Sequence, residues 1–596
     1  HLFTGRGDVQ LGPQHRTFVR ASYYDLDQIN QGVSGRNTVS NGYSYPIKNL
    51  DLSVGETWVI SDRLVHEIRT GFSYIDNALI SNSPTVQYSF PSAVIGSPTN
   101  SPQWWKEMNI QFNNSISYFI PSWRGEHQLR AGFQFFRPKF WGELPQQSFG
   151  AFNFNRDPVD FNDPATYPAP TSYSVSLGDF AYSAANPTYA AFVQDNWTIT
   201  PKLSLNLGVR YDVESGVKNT EFVNPVEPGD RSSDADNIAP RVGFAYDVRG
   251  TGRTVVRGGY GRYYDKVLLN ITTNERRQVT GQFIAVTVQN PSLTDPLSGR
   301  TFEDYKNQNL PRNITVLGND YATPRSDQVS IGMAQQIGTR YAFQADFVHT
   351  KGVNEPRQRE VNQFEDPDTH LPRSPAQFGR PFPQYLRITR YETSAKSRYE
   401  GLQLGFTGRS TTGRIGYQYQ GSYILSKTYD DHTGNRFSAV SNPFDLADEY
   451  AYASTDQRHR FIANVMVNLP YQLNVSAIYF AGSSRPINVT TNNDPFGIAS
   501  SSAGNGRWLN AAGDVVPRNS ERTLKNDYKL DLRLSKTLRV SRVRLEGIVD
   551  AFNVLDTGNI SSYGSVVGSA AYLTPNQSSA AFYQPRQIQF GFRVSY

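Results

Sequence analysis

The segment Gln587-Ile588-Gln589-Phe590-Gly591-Phe592-Arg593-Val594-Ser595-Tyr596 carries an apolar residue at every even position and a polar or small one at every odd position. Successive side chains of a β-strand point to opposite faces, so this pattern makes one greasy face and one wet face. The alternation recurs in Leu203-Ser204-Leu205-Asn206-Leu207-Gly208-Val209-Arg210-Tyr211-Asp212-Val213-Glu214. It recurs where His127, Leu129, Ala131, Phe133 and Phe135 interleave with Gln128, Arg130, Gly132 and Gln134. It recurs again where Tyr341, Phe343, Ala345 and Phe347 interleave with Ala342, Gln344 and Asp346.

Outward from these four, the same period predicts nineteen strands: 2–10, 16–27, 49–60, 64–76, 108–120, 126–138, 188–199, 203–214, 238–248, 254–265, 326–337, 341–351, 396–408, 413–428, 457–468, 472–483, 526–537, 543–554 and 586–596. Most run ten to fourteen residues. Strands of soluble sheets average about 5–6 residues, whereas a tilted membrane-crossing strand needs roughly 9–11. The connections alternate between short and long. The short ones are 11–15, 61–63, 121–125, 200–202, 249–253, 338–340, 409–412, 469–471 and 538–542. The long ones are 28–48, 77–107, 139–187, 215–237, 266–325, 352–395, 429–456, 484–525 and 555–585, more than half of the chain. Structureless loops beyond roughly 15 residues are uncommon in soluble domains. Tight turns on one rim and long loops on the other mark an outer-membrane barrel. The expected fold is therefore all-β: a transmembrane antiparallel β-barrel over 1–596, with short periplasmic turns and long extracellular loops. Trp58, Trp123 and Trp197 lie in or beside short turns, where an inner aromatic girdle belongs.

Composition removes other classes. The chain has 596 residues, no Cys, 13% aromatic residues and a net charge of +5. Without Cys there are no disulfides, thiolate zinc sites or cysteine nucleophiles. The thinly spread charge gives no nucleic-acid tail, and no run of 18 apolar residues offers a spanning helix. No Gly-x-Ser-x-Gly elbow accompanies the eight histidines, so no catalytic residue is assigned and no enzyme is expected. His66 and His127 fall at lipid-facing positions near turns. Arg6-Gly7-Asp8 lies inside a predicted strand and cannot be presented. No cofactor is expected, with calcium the one metal that the outer loops could suit. Their oxygen clusters are Asp230, Asp234, Asp236 and Asn237; Glu365, Asp366 and Asp368; and Asp430, Asp431 and Asn435.

Strand parity adds an expectation. The last strand must run downward to leave the C-terminus in the periplasm. Counting back through nine hairpins, 2–10 also runs downward, whereas a barrel following a periplasmic plug begins upward. Single-chain barrels are even-stranded and plugged ones have 22. Nineteen strands are thus expected to be part of a probable 22, with three strands and all upstream of them outside 1–596.

Certain residues are familiar as a set. They include Tyr189-Ala190-Ala191-Phe192-Val193-Gln194-Asp195-Asn196-Trp197 and Thr254-Val255-Val256-Arg257-Gly258-Gly259-Tyr260-Gly261-Arg262-Tyr263-Tyr264-Asp265. Further along come Pro381-Phe382-Pro383-Gln384 with Ser397-Arg398-Tyr399-Glu400-Gly401-Leu402-Gln403, and Ser422-Tyr423-Ile424-Leu425-Ser426-Lys427-Thr428-Tyr429-Asp430-Asp431. Then follow Asp456-Gln457-Arg458-His459-Arg460-Phe461, Gly482-Ser483-Ser484-Arg485-Pro486 and Ala551-Phe552-Asn553-Val554-Leu555-Asp556. In this order they resemble TonB-dependent outer-membrane transporters of Gram-negative bacteria, specifically the Oar-like branch with a carboxypeptidase regulatory-like domain. Phe590, Phe592 and Tyr596 resemble the C-terminal signal read by the barrel-insertion machinery.

The resemblance implies uptake of a large or scarce solute, energised by the TonB complex through an N-terminal TonB box and plug that 1–596 does not contain. By alternation Arg130, Arg210, Asp212, Glu214, Asp346, Arg544, Glu546, Asp550 and Arg593 face the lumen, where they are candidates to hold a plug or to satisfy one another. Trp104, Trp105, Trp141 and Trp508 fall in predicted long loops and are candidate ligand contacts. Partners then comprise outer-membrane lipid, the TonB complex, the insertion machinery and other envelope proteins, with no nucleic acid. A passive channel, or a surface barrel that binds envelope proteins, remains an alternative on the residues alone.

Overall fold

The computed structural model describes residues 1–596 apart from 221, 232–233, 309–310, 411–413, 433–439, 492, 498–505, 524, 561 and 576–584. Among the described residues all nineteen expected strands form: β1 (Leu2–Gly12), β2 (His15–Gln31), β3 (Tyr43–Ser61), β4 (Leu64–Ser81), β5 (Gln103–Ile120), β6 (Glu126–Glu143), β7 (Thr188–Thr200), β8 (Leu203–Glu214), β9 (Ile238–Asp247), β10 (Thr254–Tyr264), β11 (Arg325–Ile337), β12 (Tyr341–Glu360), β13 (Tyr385–Ser410), β14 (Gly416–Asp430), β15 (His459–Leu469), β16 (Leu473–Gly482), β17 (Asp527–Val540), β18 (Val543–Phe552) and β19 (Gln587–Ser595). Each pairs antiparallel with the next. Three short strands, Ala181–Ala185, Arg312–Leu317 and Ala451–Tyr452, join the long-loop rim and bring the sheet to 22 strands. That 22 is nineteen crossings plus three rim additions, a different sum from a barrel of 22 crossings. Among the described residues β1 pairs only with β2, and β19 only with β18.

In hydrocarbon an unpaired backbone N–H or C=O costs several kcal/mol, so adjacent pairing in register is what lets these segments cross. Register between β5 and β6 is unbroken from Trp104↔Glu143 to Ile120↔His127, so inside and outside keep their order along the whole strand. Ile110, Phe112, Ile116 and Tyr118 of β5, Leu207, Val209 and Tyr211 of β8, and Val329, Ile331 and Met333 of β11 all project from the outer face. On that face an added Cβ at Gly421 would sit 2.0 Å from the ring of Phe406, its cross-strand partner. The glycine is the slot in which that ring lies flat.

Several strands run past their expected ends. β3 begins at Tyr43, β4 reaches Ser81, β5 begins at Gln103, β6 reaches Glu143, β12 reaches Glu360 and β13 begins at Tyr385. An apolar band about 25 Å tall takes roughly ten tilted residues, so the surplus rises above it. This corrects the placement of three tryptophans: Trp104 and Trp105 lie in β5 and Trp141 in β6, not in loops. By alternation Trp104 and Trp141 share the lipid face. Lys106 Nζ lies 5.8 Å from the Trp104 ring, Lys139 Nζ 5.4 Å from the Trp141 ring, and Tyr74 6.3 Å from Trp141. Such cation-flanked rings form an aromatic girdle at the long-loop rim. Trp105 points to the opposite face and meets Tyr45 at 6.0 Å.

The short-turn rim carries the second girdle. His15 stacks on Trp58 at 5.3 Å and Trp58 meets His66 edge-on at 6.5 Å. His127 stacks on Trp197 at 5.0 Å, with Trp123 at 5.2 Å. Arg6-Gly7-Asp8 lies within β1, its Arg and Asp joined at 2.7 Å.

Outer-face polarity gives a test. Arginine at Ile331, midway along β11, costs about 2–4 kcal/mol in a bilayer, whereas arginine at the neighbouring Ser330 faces the lumen and costs little. Refolding into lipid vesicles, followed by heat-modifiable gel mobility, should show I331R folding poorly and S330R folding like the parent.

Candidate functional site

The large buried apolar side chains sit in the loops rather than in the barrel. One cluster joins Phe90, Phe152, Phe154, Tyr173 and Val175, with Phe90 stacked on Phe154 at 4.4 Å. It packs on a five-stranded sheet built from Gln87–Ser89, Val94–Ile95, Ala151–Asn153, Ser172–Gly178 and Phe283–Gln289. A second joins Val217, Val267, Ile271, Leu317, Tyr321 and Tyr391 around α1 (Leu269–Val279). A third joins Ile314, Val316 and Ile388 where Arg312–Leu317 runs parallel to β13. Together these loops make a cap over the long-loop rim.

Buried ion pairs lock the cap. Arg231 donates from Nη1 and Nη2 to Glu275 of α1 at 2.7 and 2.6 Å, and the two side chains are 1% and 0% exposed. Glu275 also accepts from Asn219 Nδ2 at 2.9 Å and the Leu317 amide at 2.8 Å, while Arg231 reaches the Leu317 carbonyl at 2.7 Å. A desolvated pair holds only when its remaining donors and acceptors are met in this way. Elsewhere Arg357 pairs with Asp431 at 2.6 Å, Arg507 with Glu449 at 2.6 Å and Arg518 with Asp430 at 2.5 Å. Arg390 bridges Glu227, Asp320 and Glu392. The Arg231–Glu275 pair is not visible in the sequence, because its partners stand 44 residues apart.

The expected site residues are distributed as follows. Arg130 donates to Glu67 at 2.9 Å and Ser115 at 3.0 Å, and Arg210 binds Asp212 within β8 at 2.8 Å. Asp346 accepts from Arg257 at 2.7 Å, Asp550 from Arg533 at 2.6 Å, and Glu546 faces Arg593 at 3.6 Å. Glu214 is buried at the rim, accepting from the Val267 amide at 3.0 Å and Asn186 at 3.3 Å. Arg544 sits opposite Ser595 with no ion pair among the described residues. Trp508 is 1% exposed and packs edge-on against Phe496 at 4.8 Å. It is a loop core residue and presents no surface to a ligand, which corrects its expected role.

The calcium candidates divide. Asp430 and Asp431 each face an arginine, and Asn435 lies outside the described residues. Glu365 binds His370 at 2.6 Å and Asp366 binds Arg373 at 3.1 Å. Asp234 and Asp236 stand close enough to shift one another. Burial works against the Asp234 carboxylate, but the Thr323 amide, Asp236 and Lys218 hold it below the usual range. The hydrogen bond and charge of Asp234 in turn push Asp236 up. Among the described residues no three His, Asp or Glu side chains converge on a metal position.

The family described as "Outer membrane beta barrel domain" matches residues 1–589. The chain belongs to that family. The protein is an integral outer-membrane barrel, and its long-loop cap is extracellular. A segment of 85 residues is 38% identical to the TonB-dependent transporter Oar of Myxococcus xanthus, covering 14% of this chain and 7% of Oar. Among solved structures, the outer membrane transporter YddB from Escherichia coli has a TM-score of 0.57 at 15% identity, over 93% of this chain and 71% of that one. The ferripyoverdine receptor of Pseudomonas aeruginosa gives 0.56 at 14% identity, over 99% and 64%. The ferric enterobactin receptor PfeA of the same species gives 0.59 at 13% identity, over 100% and 69%. At these identities the likeness is one of fold.

Two expectations follow. Replacing Arg231 with Met strands Glu275 as a lone buried charge and should cost about 3–5 kcal/mol of cap stability. Limited proteolysis of membranes should cut 217–237 faster in R231M, while R231M/E275M recovers much of the resistance and strand pairing stays intact. Separately, the Glu365 hydrogen bond raises the His370 imidazole above its ordinary value of about 6.5. The pair is therefore complete below that ordinary value and is lost only as pH rises through the raised one. Imidazole NMR titration should show a high midpoint for His370 that E365Q returns to the ordinary range.

Proposed function

We propose that this chain forms the barrel of a TonB-dependent receptor that captures a large or scarce extracellular solute in its cap and imports it. The cap is the observation that carries this reading. Ordering long loops costs about 1–2 kcal/mol per residue in backbone entropy alone. A passive pore needs only an open mouth, so apolar cores and buried ion pairs across the loops favour a built receptor surface. The segment similar to Oar supports energised uptake, and the polar lumen wall at Arg130, Asp346 and Asp550 suits contact with a plug that must shift. In this reading β1 and β19 pair with further strands of one closed wall, and Phe590, Phe592 and Tyr596 serve the insertion machinery.

Planar-bilayer recording of the full-length protein distinguishes the alternatives. A plugged receptor gives no steady conductance and retains the soluble periplasmic domain of TonB on an affinity column. Steady conductance without TonB retention identifies a passive channel. Stoichiometric envelope proteins in the purified particle, again without TonB, identify a surface assembly.

A further inference from the structure

A cavity of about 520 Å³ lies where Thr99–Asn100, Gln146–Gln147, the end of α1, the strand Phe283–Gln289, the strand Arg312–Leu317 and β13 meet. Its size matches small-molecule sites, which run from about 300 to 1,000 Å³. Two guanidinium groups, Arg312 and Arg387, line it together with the amides of Asn100, Gln146, Gln278 and Asn313, and among the described residues no carboxylate lines it. A wall rich in amides and guanidiniums, and free of acidic groups, selects for negative charge.

Arg312 donates from Nη2 to the Val279 carbonyl at 3.0 Å, at the C-terminal end of α1. Its Nε is buried without a hydrogen-bond partner among the described residues. Arg387 has Glu360 at 3.5 Å, and that carboxylate also answers the charge of Arg380. Among the described residues Arg312 thus meets a carbonyl and no carboxylate. Both side chains are half-buried, so an anion that enters the cavity meets partly desolvated cations. The planar donor fork of arginine fits a carboxylate or phosphate through two parallel hydrogen bonds. Strand pairing fixes the geometry: Arg312–Leu317 runs parallel to β13, and the Arg387 amide donates to Asn313 Oδ1 at 3.2 Å. Both arginines therefore stand on one paired platform within the cap.

We propose that this cavity binds an oxyanion group, carboxylate or phosphate, of a soluble extracellular solute. Arg312 and Arg387 supply the charge, and Asn100, Gln146, Gln278 and Asn313 supply the orienting hydrogen bonds. Its physiological purpose rests on the uptake reading; the binding itself does not.

The test uses the full-length protein in detergent, with citrate and inorganic pyrophosphate as probes in titration calorimetry and trehalose as the neutral comparison. At least one anion should bind and trehalose should not. R312Q and R387Q should each weaken binding roughly tenfold to hundredfold, the range for a hydrogen bond to a charged group. Heat-modifiable gel mobility reports whether each variant is folded. Because losing an arginine could disturb the cap, N313D is the second probe: it keeps both arginines and places an anion in the wall, and it should weaken binding by a similar factor. Equal affinity in the parent and the R312Q/R387Q variant, or no binding of either anion, overturns the proposal. So does Arg312-dependent binding of lipopolysaccharide micelles without binding of the soluble anions. Arg312-dependent anion binding together with protonophore-insensitive uptake would leave the site standing and remove the reading of uptake energised through TonB.

Discussion

Hydrocarbon offers the backbone no hydrogen-bond partner, and this one constraint shapes the molecule. Every N–H and C=O inside the bilayer must find its mate on a neighbouring strand. Pairing from β1 to β19 in chain order meets that demand, and among the described residues one rim is made of tight turns. Once register is fixed, a period of two sends half the side chains to lipid and half to water. Arg130 of β6, Asp212 of β8, Asp346 of β12 and Asp550 of β18 then meet partners on the wet side, as Arg130 meets Glu67 and Arg533 meets Asp550.

The usual distribution of a globular protein is thereby inverted. Apolar side chains such as Ile331 and Phe347 line the outside of the wall. Among the described residues a packed interior appears above the membrane, where water returns and the hydrophobic effect can act. There the loops bury Phe90, Ile271, Val316 and Trp508 as a soluble domain would. Ion pairs follow the same division. Arg130–Glu67 on the barrel wall is part-exposed, whereas two pairs of the cap, Arg231–Glu275 and Arg357–Asp431, are almost wholly enclosed.

The membrane-crossing part was legible because lipid and water impose opposite demands on alternate residues, and the sequence records both. The extensions above the bilayer were not. In Tyr385–Ala395 and Arg357–Glu360 the paired strands carry loop packing on their faces, so Ile388, Tyr391 and Arg357 are buried and the alternation fades. The short outer strands escaped for the same reason, and Trp104 and Trp141 were assigned to loops although they sit in the outer girdle. α1, Leu-Asn-Ile-Thr-Thr-Asn-Glu-Arg-Arg-Gln-Val, offers no continuous apolar stripe, because its buried face includes Thr272, Glu275 and Arg277. The cavity at Arg312 was equally invisible: it is assembled from distant segments, and only pairing in three dimensions brings them together.

The parent chain has no Cys, so each single-Cys variant from Leu203 to Tyr211 carries one nitroxide label at a known place on β8. Accessibility to oxygen, which concentrates in lipid, and to a water-borne nickel chelate can then be read position by position in vesicles. A wall between hydrocarbon and an aqueous lumen predicts oxygen maxima at 205, 207, 209 and 211 and chelate maxima at 204, 206 and 210. A helical period of 3.6, or equal chelate access at every position, would contradict it.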